Sequence, residues 1–127
     1  MNDASKKTRF LSELSCAFGP TPDTPRSGTV TSIGLRECFV KTKAIVIEGQ
    51  SLHLRVWTPE NRWLRLSGRV KYHMERVGFG VVFHDLMEDQ LADLSRLVEQ
   101  LRRQHLAQLR EGEAADDPAD VNPTVLN

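Results

Sequence analysis

The chain has 127 residues, of which 39% are hydrophobic and 27% are charged, and its formal net charge is zero. A chain of this length buries one core of ordinary size, so a single domain is expected. No apolar run approaches the roughly 20 residues that span a bilayer, and the opening residues MNDASKKTRF lack the apolar core of a secretory signal, so we expect a cytoplasmic protein.

Charge is distributed unevenly along the chain. Residues 28–85 include nine basic and five acidic side chains, whereas residues 86–127 include four basic and nine acidic ones. The middle of the chain is therefore basic and the C-terminal part is acidic. Nucleic-acid binding is a candidate for such a basic region, but the surplus is small and no recognised reading motif accompanies it, so this function is disfavoured.

The two cysteines are predicted to be packing residues. Cys16 and Cys38 lie in stretches of alternating apolar residues, where a reduced cysteine behaves as a small hydrophobic side chain. A disulfide is the less favoured alternative, because the chain shows no export signal. Neither the cysteines nor the four histidines have the short spacing of zinc ligands, so no structural metal is expected.

The first three predicted strands are short. The first covers Phe10–Phe18 and is followed by GPTPDTPRSG, whose three prolines and two glycines predict a loop. The second covers Ser27–Ile33 and the third about Glu37–Lys41, with a tight turn between them.

Two-residue alternation is strongest in the next three strands, which turns separate at 58–61 and near 74–75. The pattern predicts an antiparallel meander. The side chains predicted to face the core are Leu52, Leu54, Val56, Leu64, Leu66, Val70, Tyr72, Val77, Phe79, Val81 and Phe83. Those predicted to face outward are His53, Arg55, Trp57, Trp63, Arg65, Ser67, Arg69, Lys71 and His73.

Helical periodicity replaces the alternation after Asp85. Apolar residues recur at steps of four and three along one stripe, which predicts an amphipathic helix over about 86–110. The stripe contains Met87, Leu91, Leu94, Val98 and Leu101, widened by Leu97, Leu106 and Leu109. Residues 111–127 contain few large apolar groups and are predicted to form a disordered acidic tail. Residues 1–8 are predicted to be a flexible basic N-terminus, which leaves a domain over 9–110 whose barrel covers about 9–84.

Short antiparallel strands followed by a helix favour a closed barrel, which leaves no sheet edge exposed. The segments GTVTSIGLRECFVKT, TPENRWLRLSGRVKY and GFGVVFHDL, in this order and before an amphipathic helix, resemble a PilZ domain over roughly residues 6–103. The resemblance implies an all-β fold, namely a six-stranded antiparallel PilZ-type β-barrel with a C-terminal α-helix. Many PilZ domains are receptors for the bacterial second messenger cyclic di-GMP.

The resemblance also implies a ligand site, and both of its motifs are degraded here. PilZ domains bind through an Arg-x-x-x-Arg segment before the first strand and an Asp/Asn-x-Ser-x-x-Gly turn between the second and third. In this chain Ser32 stands where Asp or Asn is expected, Gly34 where Ser is expected, and Glu37 where Gly is expected. Arg9 can stand for the second arginine, whereas Ser5 occupies the position of the first.

These departures predict weak or no cyclic di-GMP binding. A lysine near the missing arginine lacks the planar fork that holds phosphate and a guanine edge together, and Glu37 adds a carboxylate near a site for a dianion. A genuine cyclic di-GMP receptor is the alternative. Its candidate ligand-binding residues are Lys7, Arg9, Arg26, Ser32, Gly34, Arg36 and Glu37.

A PilZ-like domain with degraded motifs is expected to act as a non-enzymatic adaptor, because such relatives can serve in type IV pilus function and motility control through protein partners. No catalytic motif is present, so neither enzymatic activity nor a cofactor is expected. The candidate interaction residues on the outward face of the long hairpin are Arg55, Trp57, Trp63, Arg65 and Arg69. Tryptophan and arginine are enriched in interface hot spots, but these side chains could equally be a solvated face. The helix either only packs on the barrel or also pairs in a homodimer.

Overall fold

The computed structural model describes residues 8–115. Six antiparallel strands form a closed barrel with the neighbour order β1-β2-β3-β6-β5-β4, and one helix follows them. This architecture confirms the predicted fold class. The elements are β1 Arg9–Gly19, β2 Arg26–Gly34, β3 Glu37–Lys41, β4 Ser51–Trp57, β5 Trp63–Met74, β6 Gly78–Phe83 and α1 Glu88–Ala115.

The barrel interior is filled by the alternating apolar side chains of all six strands. Phe18 and Phe79 meet at its centre, with their ring centroids 5.0 Å apart and the rings edge to face. Burying one such side chain contributes roughly 1.5–3 kcal/mol to folding. The fully buried strand residues include Phe18, Val30, Ile33, Val40, Leu52, Leu54, Val56, Leu66, Val70 and Phe79.

Two of the predicted core positions are wrong, and both lie where the alternation is interrupted. The β5–β6 register shifts between Val70 and Tyr72, and Tyr72 then pairs with Gly80. Because a bulge inserts one extra residue, the Tyr72 side chain lies on the outer face of the barrel. Val77 belongs to the turn before β6 and is 46% exposed, next to Arg76 at φ 66°.

Helix α1 packs across one mouth of the barrel. Its buried residues are Leu94, Leu97, Val98 and Leu101. The rest of the predicted apolar stripe does not reach the core, because Met87, Leu91, Leu106 and Leu109 are exposed. Among the described residues, no helix is long and apolar enough to cross a membrane.

The helix is longer than the sequence pattern predicts. It ends at Ala115 rather than near Arg110, so residues 111–115 are helical. The start of the predicted disordered tail is therefore placed five residues too early. Residues 116–127 lie outside the described part of the chain, as do residues 1–7 of the flexible N-terminus predicted over residues 1–8.

The opposite mouth is covered by the connector between β3 and β4, residues 42–50. Val46 of this connector is buried against the core, whereas Ile45 and Ile47 on either side of it are each 70% exposed. The connector borders a groove of about 560 Å³ together with the end of β1 and the start of β2.

Candidate functional site

The turn between β2 and β3 brings most of the predicted ligand-binding residues together. Ile33 pairs with Cys38, which leaves Leu35 and Arg36 as a tight two-residue turn. β1 lies alongside, with Arg9 paired to Gly34 and Leu11 paired to Ser32. We call the outer surface formed by Arg9, Ser32, Gly34, Arg36 and Glu37 the turn face.

Gly34 is required by the path of the chain before β1. A Cβ atom at this position would collide with the backbone carbonyl of Thr8, which lies directly against the glycine. PilZ domains carry serine at this place in the motif. The N-terminal approach therefore occupies space that the serine side chain would need.

The Glu37 carboxylate lies within the turn face and is already paired. Its Oε1 is 3.6 Å from Nζ of Lys71 on β5, and the Glu37 side chain is 17% exposed. A dianionic ligand at this surface would meet a carboxylate and would compete with it for the lysine.

An aromatic pair that the sequence analysis missed lies beside the turn face. The rings of Phe39 and Tyr72 are 6.1 Å apart on the outside of β3 and β5, and Gly80 of β6 lies between them. A Cβ on Gly80 would be 2.6 Å from the Tyr72 ring, so the glycine leaves the space that the tyrosine occupies. The glycine between inward-facing Phe79 and Val81 was the one available signal, since a strand glycine often marks such a close approach.

One predicted ligand residue, Arg26, lies away from the turn face. Arg26 begins β2 and Gly34 ends it, so they are about 26 Å apart at roughly 3.3 Å per residue. The Arg26 guanidinium instead donates a hydrogen bond to the Ile45 carbonyl at 3.0 Å and borders the groove at the other mouth. Lys7 lies outside the described residues.

The end of the β4–β5 hairpin carries a second cluster. Trp57 and Trp63 are direct cross-strand partners, with ring centroids 5.0 Å apart and an interplanar angle of 70°. They are 38% and 42% exposed. Arg55 and Arg65 form the adjacent pair. We call Arg55, Trp57, Trp63 and Arg65 the hairpin face.

Arg55 is held in place within the hairpin face. Its Cζ lies 4.7 Å from the centre of the Trp63 ring, a cation–π contact, and its Nε donates a hydrogen bond to Oγ1 of Thr24 at 2.8 Å. The backbone of Arg65 is also fixed, because its carbonyl accepts a hydrogen bond from the Gln90 side chain of α1 at 2.9 Å.

Arg69 shares the outward side of β5 but stands apart from the tryptophans. It is six residues from Trp63, about 20 Å along the strand. Its guanidinium donates a hydrogen bond to the Gly49 carbonyl at 2.9 Å. The structure thus brings together four of the five predicted interaction residues.

Both cysteines are buried free thiols, as predicted for packing residues. Burial raises the pKa of Cys16 to about 12, opposed by a hydrogen bond involving the Gly28 backbone. Burial also raises the pKa of Cys38, and the neighbouring Cys16 adds to the effect. Neither thiol is suited to nucleophilic chemistry, which needs the thiolate. Within residues 8–115, no group of three or more histidine, cysteine or acidic side chains could hold a metal ion.

Comparison with known proteins identifies the fold through structure rather than sequence. No family model matches the chain, and no curated protein sequence matches it. The PilZ domain of CeSA from a cellulose-synthesizing bacterium is 16% identical, with a TM-score of 0.61 over 76% of this chain and 99% of that domain. The PilZ domain of YcgR from Escherichia coli with c-di-GMP is 11% identical, with a TM-score of 0.62 over 81% and 95%.

A third similar structure is the Bacillus subtilis inhibitor of motility, MotI/DgrA. It is 15% identical, with a TM-score of 0.63, and the match covers 78% of this chain. The chain spans about half the length of that protein, 49%. At these identities the likeness concerns the fold, which is that of a PilZ domain.

Proposed function

We propose that this chain is a non-enzymatic PilZ-like adaptor that regulates bacterial motility or type IV pili by binding a protein partner through the hairpin face. The observation that carries the proposal is the half-exposed pair Trp57 and Trp63 with Arg55 stacked on it. Large aromatic side chains held rigidly at a surface lose little conformational entropy when a partner covers them. The assignment to motility draws only on the likeness to the Bacillus subtilis inhibitor of motility.

Two features of the turn face favour weak or absent cyclic di-GMP binding. The Glu37 carboxylate opposes a dianion by like charge and already holds the Lys71 ammonium. The Thr8 carbonyl occupies the space beside Gly34 that a serine hydroxyl would need. A bound nucleotide would thus lack the Lys71 ammonium, which Glu37 holds, and the contact to a serine hydroxyl.

The test compares partner recovery by the tagged full-length chain and by a Trp57→Ala, Trp63→Ala double variant. Recovery from a bacterial extract, quantified by mass spectrometry, should fall at least about tenfold, because hot-spot truncations cost about 2 kcal/mol or more. Leu11→Ala is the matched control, since Leu11 is an apolar side chain that is 87% exposed on β1. Unchanged recovery by the double variant, or an equal loss with the control, would contradict the proposal.

A cyclic di-GMP receptor is the second candidate, favoured by the aromatic pair Phe39 and Tyr72 next to Arg9 and Ser32. Aromatic rings beside a cationic surface can stack bases while arginines hold phosphates. Isothermal titration calorimetry with cyclic di-GMP separates the two candidates. Micromolar binding that is lost in Arg9→Ala and retained in Arg26→Ala would place the receptor first. The absence of binding heat supports the adaptor.

A further inference from the structure

The two arginines of the hairpin face carry uncompensated charge. Arg55 and Arg65 are directly opposite each other in the β4–β5 register, an arrangement in which like charges destabilise a sheet. Neither has an ion-pair partner within the described residues. Four other arginines do have acidic partners, namely Arg62, Arg96, Arg102 and Arg103. A carboxylate between Arg55 and Arg65 would relieve the repulsion.

The guanidinium of Arg55 is already oriented for such a contact. Its hydrogen bond to the buried Thr24 and its stacking on Trp63 fix the side chain. A guanidinium has five N–H donors and this hydrogen bond uses one, so a planar fork remains for an oxygen pair. Less side-chain entropy is lost on binding than for a free arginine.

The residue next to Arg55 on β1 has a small side chain. This residue is Ala17, which lies between the inward-facing Cys16 and Phe18 and therefore points outward. The Trp57 indole, next but one to Arg55 on β4, is 38% exposed and supplies an apolar surface on the same side of the strand. An apolar side chain of a partner fits there while a neighbouring carboxylate reaches the arginines.

We infer that the hairpin face binds an acidic segment of a partner protein, with one carboxylate between Arg55 and Arg65 and an adjacent apolar side chain against Trp57. The inference rests on the proposed function and names the chemistry of the partner. A protein is favoured over a nucleic acid because Arg55 covers the face of Trp63 and the two indoles meet edge to face, which leaves little ring surface for stacking bases.

Tryptophan fluorescence tests the inference directly, because the only two tryptophans of the chain both belong to the hairpin face. The probe is a terminally blocked hexapeptide that alternates glutamate and leucine, titrated into the full-length chain. A saturable emission change is expected, and the isosteric peptide with glutamine in place of glutamate should produce none. Arg65→Gln should weaken the binding at least about tenfold, as for loss of one partner of a charge pair.

The matched control is Arg76→Gln, which removes an exposed arginine from the turn between β5 and β6 and should leave the affinity unchanged. Equal binding of the glutamine peptide, no saturable change with the glutamate peptide, or an emission change caused by single-stranded oligothymidylate alone would overturn the inference. If the Trp57→Ala, Trp63→Ala double variant loses the protein partner while the Arg55→Gln, Arg65→Gln double variant retains it, the adaptor proposal is supported. The inference of an acidic partner segment is then wrong. If both double variants retain the partner, both proposals fall.

Discussion

At the turn face the Glu37 carboxylate lies 3.6 Å from the Lys71 ammonium, whereas at the hairpin face Arg65 has no acidic neighbour among the described residues. The two surfaces share one barrel, and each has arginines with aromatic side chains in it or beside it. They differ in that the turn face carries a carboxylate, Glu37, which pairs with a lysine of the same chain. A basic composition alone therefore does not mark a binding surface. The position of the nearest carboxylate decides whether a cation remains available to a ligand.

The largest expected effect is a loss of folding stability when the aromatic pair beside the turn face is displaced. In Gly80→Val the added atoms meet the Tyr72 ring, so the aromatic pair beside the turn face must move. The free energy of unfolding should fall by about 1–3 kcal/mol, the range for overpacking, measured by urea denaturation. Gly80→Ala should lose less. A change in the native tryptophan emission spectrum would show that the hairpin face depends on this pair.

Charge at the turn face is tested by Glu37→Gly, which restores the glycine of the PilZ motif. Cyclic di-GMP affinity should rise about tenfold, because a like charge a few ångströms from a dianion at a partly exposed site is worth about 1–2 kcal/mol. Titration calorimetry measures it. Glu75→Gly, in the turn between β5 and β6, is the control. An unchanged affinity would mean that the Thr8 backbone, not the carboxylate, limits binding.

The reactivity of the two buried thiols measures local unfolding near each surface. Cys16 pairs with Val56 beneath the hairpin face, and Cys38 neighbours Glu37 at the turn face. Because burial raises both pKa values, alkylation at pH 8 should be far slower in the native chain than in urea. The unfolded thiols ionise near pH 9.0 and the buried ones above it, so stability should fall as pH rises from 9 toward 12, by up to about 1.4 kcal/mol per thiol and pH unit. A flat profile between pH 9 and 10 would contradict this prediction.

The smallest effect concerns a compensated arginine pair on α1. Hydrogen bonds from Arg102 and then Arg103 lower the pKa of Glu99 to about 2. The stabilisation of the folded chain by the ionised Glu99 is present above the unfolded pKa near 4.5 and is lost as the pH falls toward 2. Glu99→Gln should reduce helical circular dichroism slightly at low salt and hardly at all at high salt, because the group is exposed. A salt-independent loss would point to a packing role instead.

The sequence predicts the local parts of this structure well. In β4 the alternation of Leu52, Leu54 and Val56 places them correctly in the core, because a regular strand has a period of two. Tyr72 is misplaced since the bulge before it arises from the pairing of β5 with β6, which no single strand encodes. Val77 is misplaced because Arg76 takes a left-handed conformation in the turn.

For the candidate surfaces, the sequence predicts which residues face outward but not how far apart they lie. Alternation correctly places Trp57 and Trp63 on one outward side, yet it also places Arg69 there, about 20 Å away. Arg26 and Ser32 likewise share β2 but reach different parts of the barrel. Strand register fixes such distances, and register depends on barrel closure.

Strand β1 borders both surfaces. Arg9 at its beginning pairs with Gly34, and Ala17 near its end pairs with Arg55. These two positions are eight residues apart, which corresponds to about 26 Å along the strand. At that separation, a molecule bound at the turn face and another bound at the hairpin face would not overlap, so the two surfaces could be occupied independently.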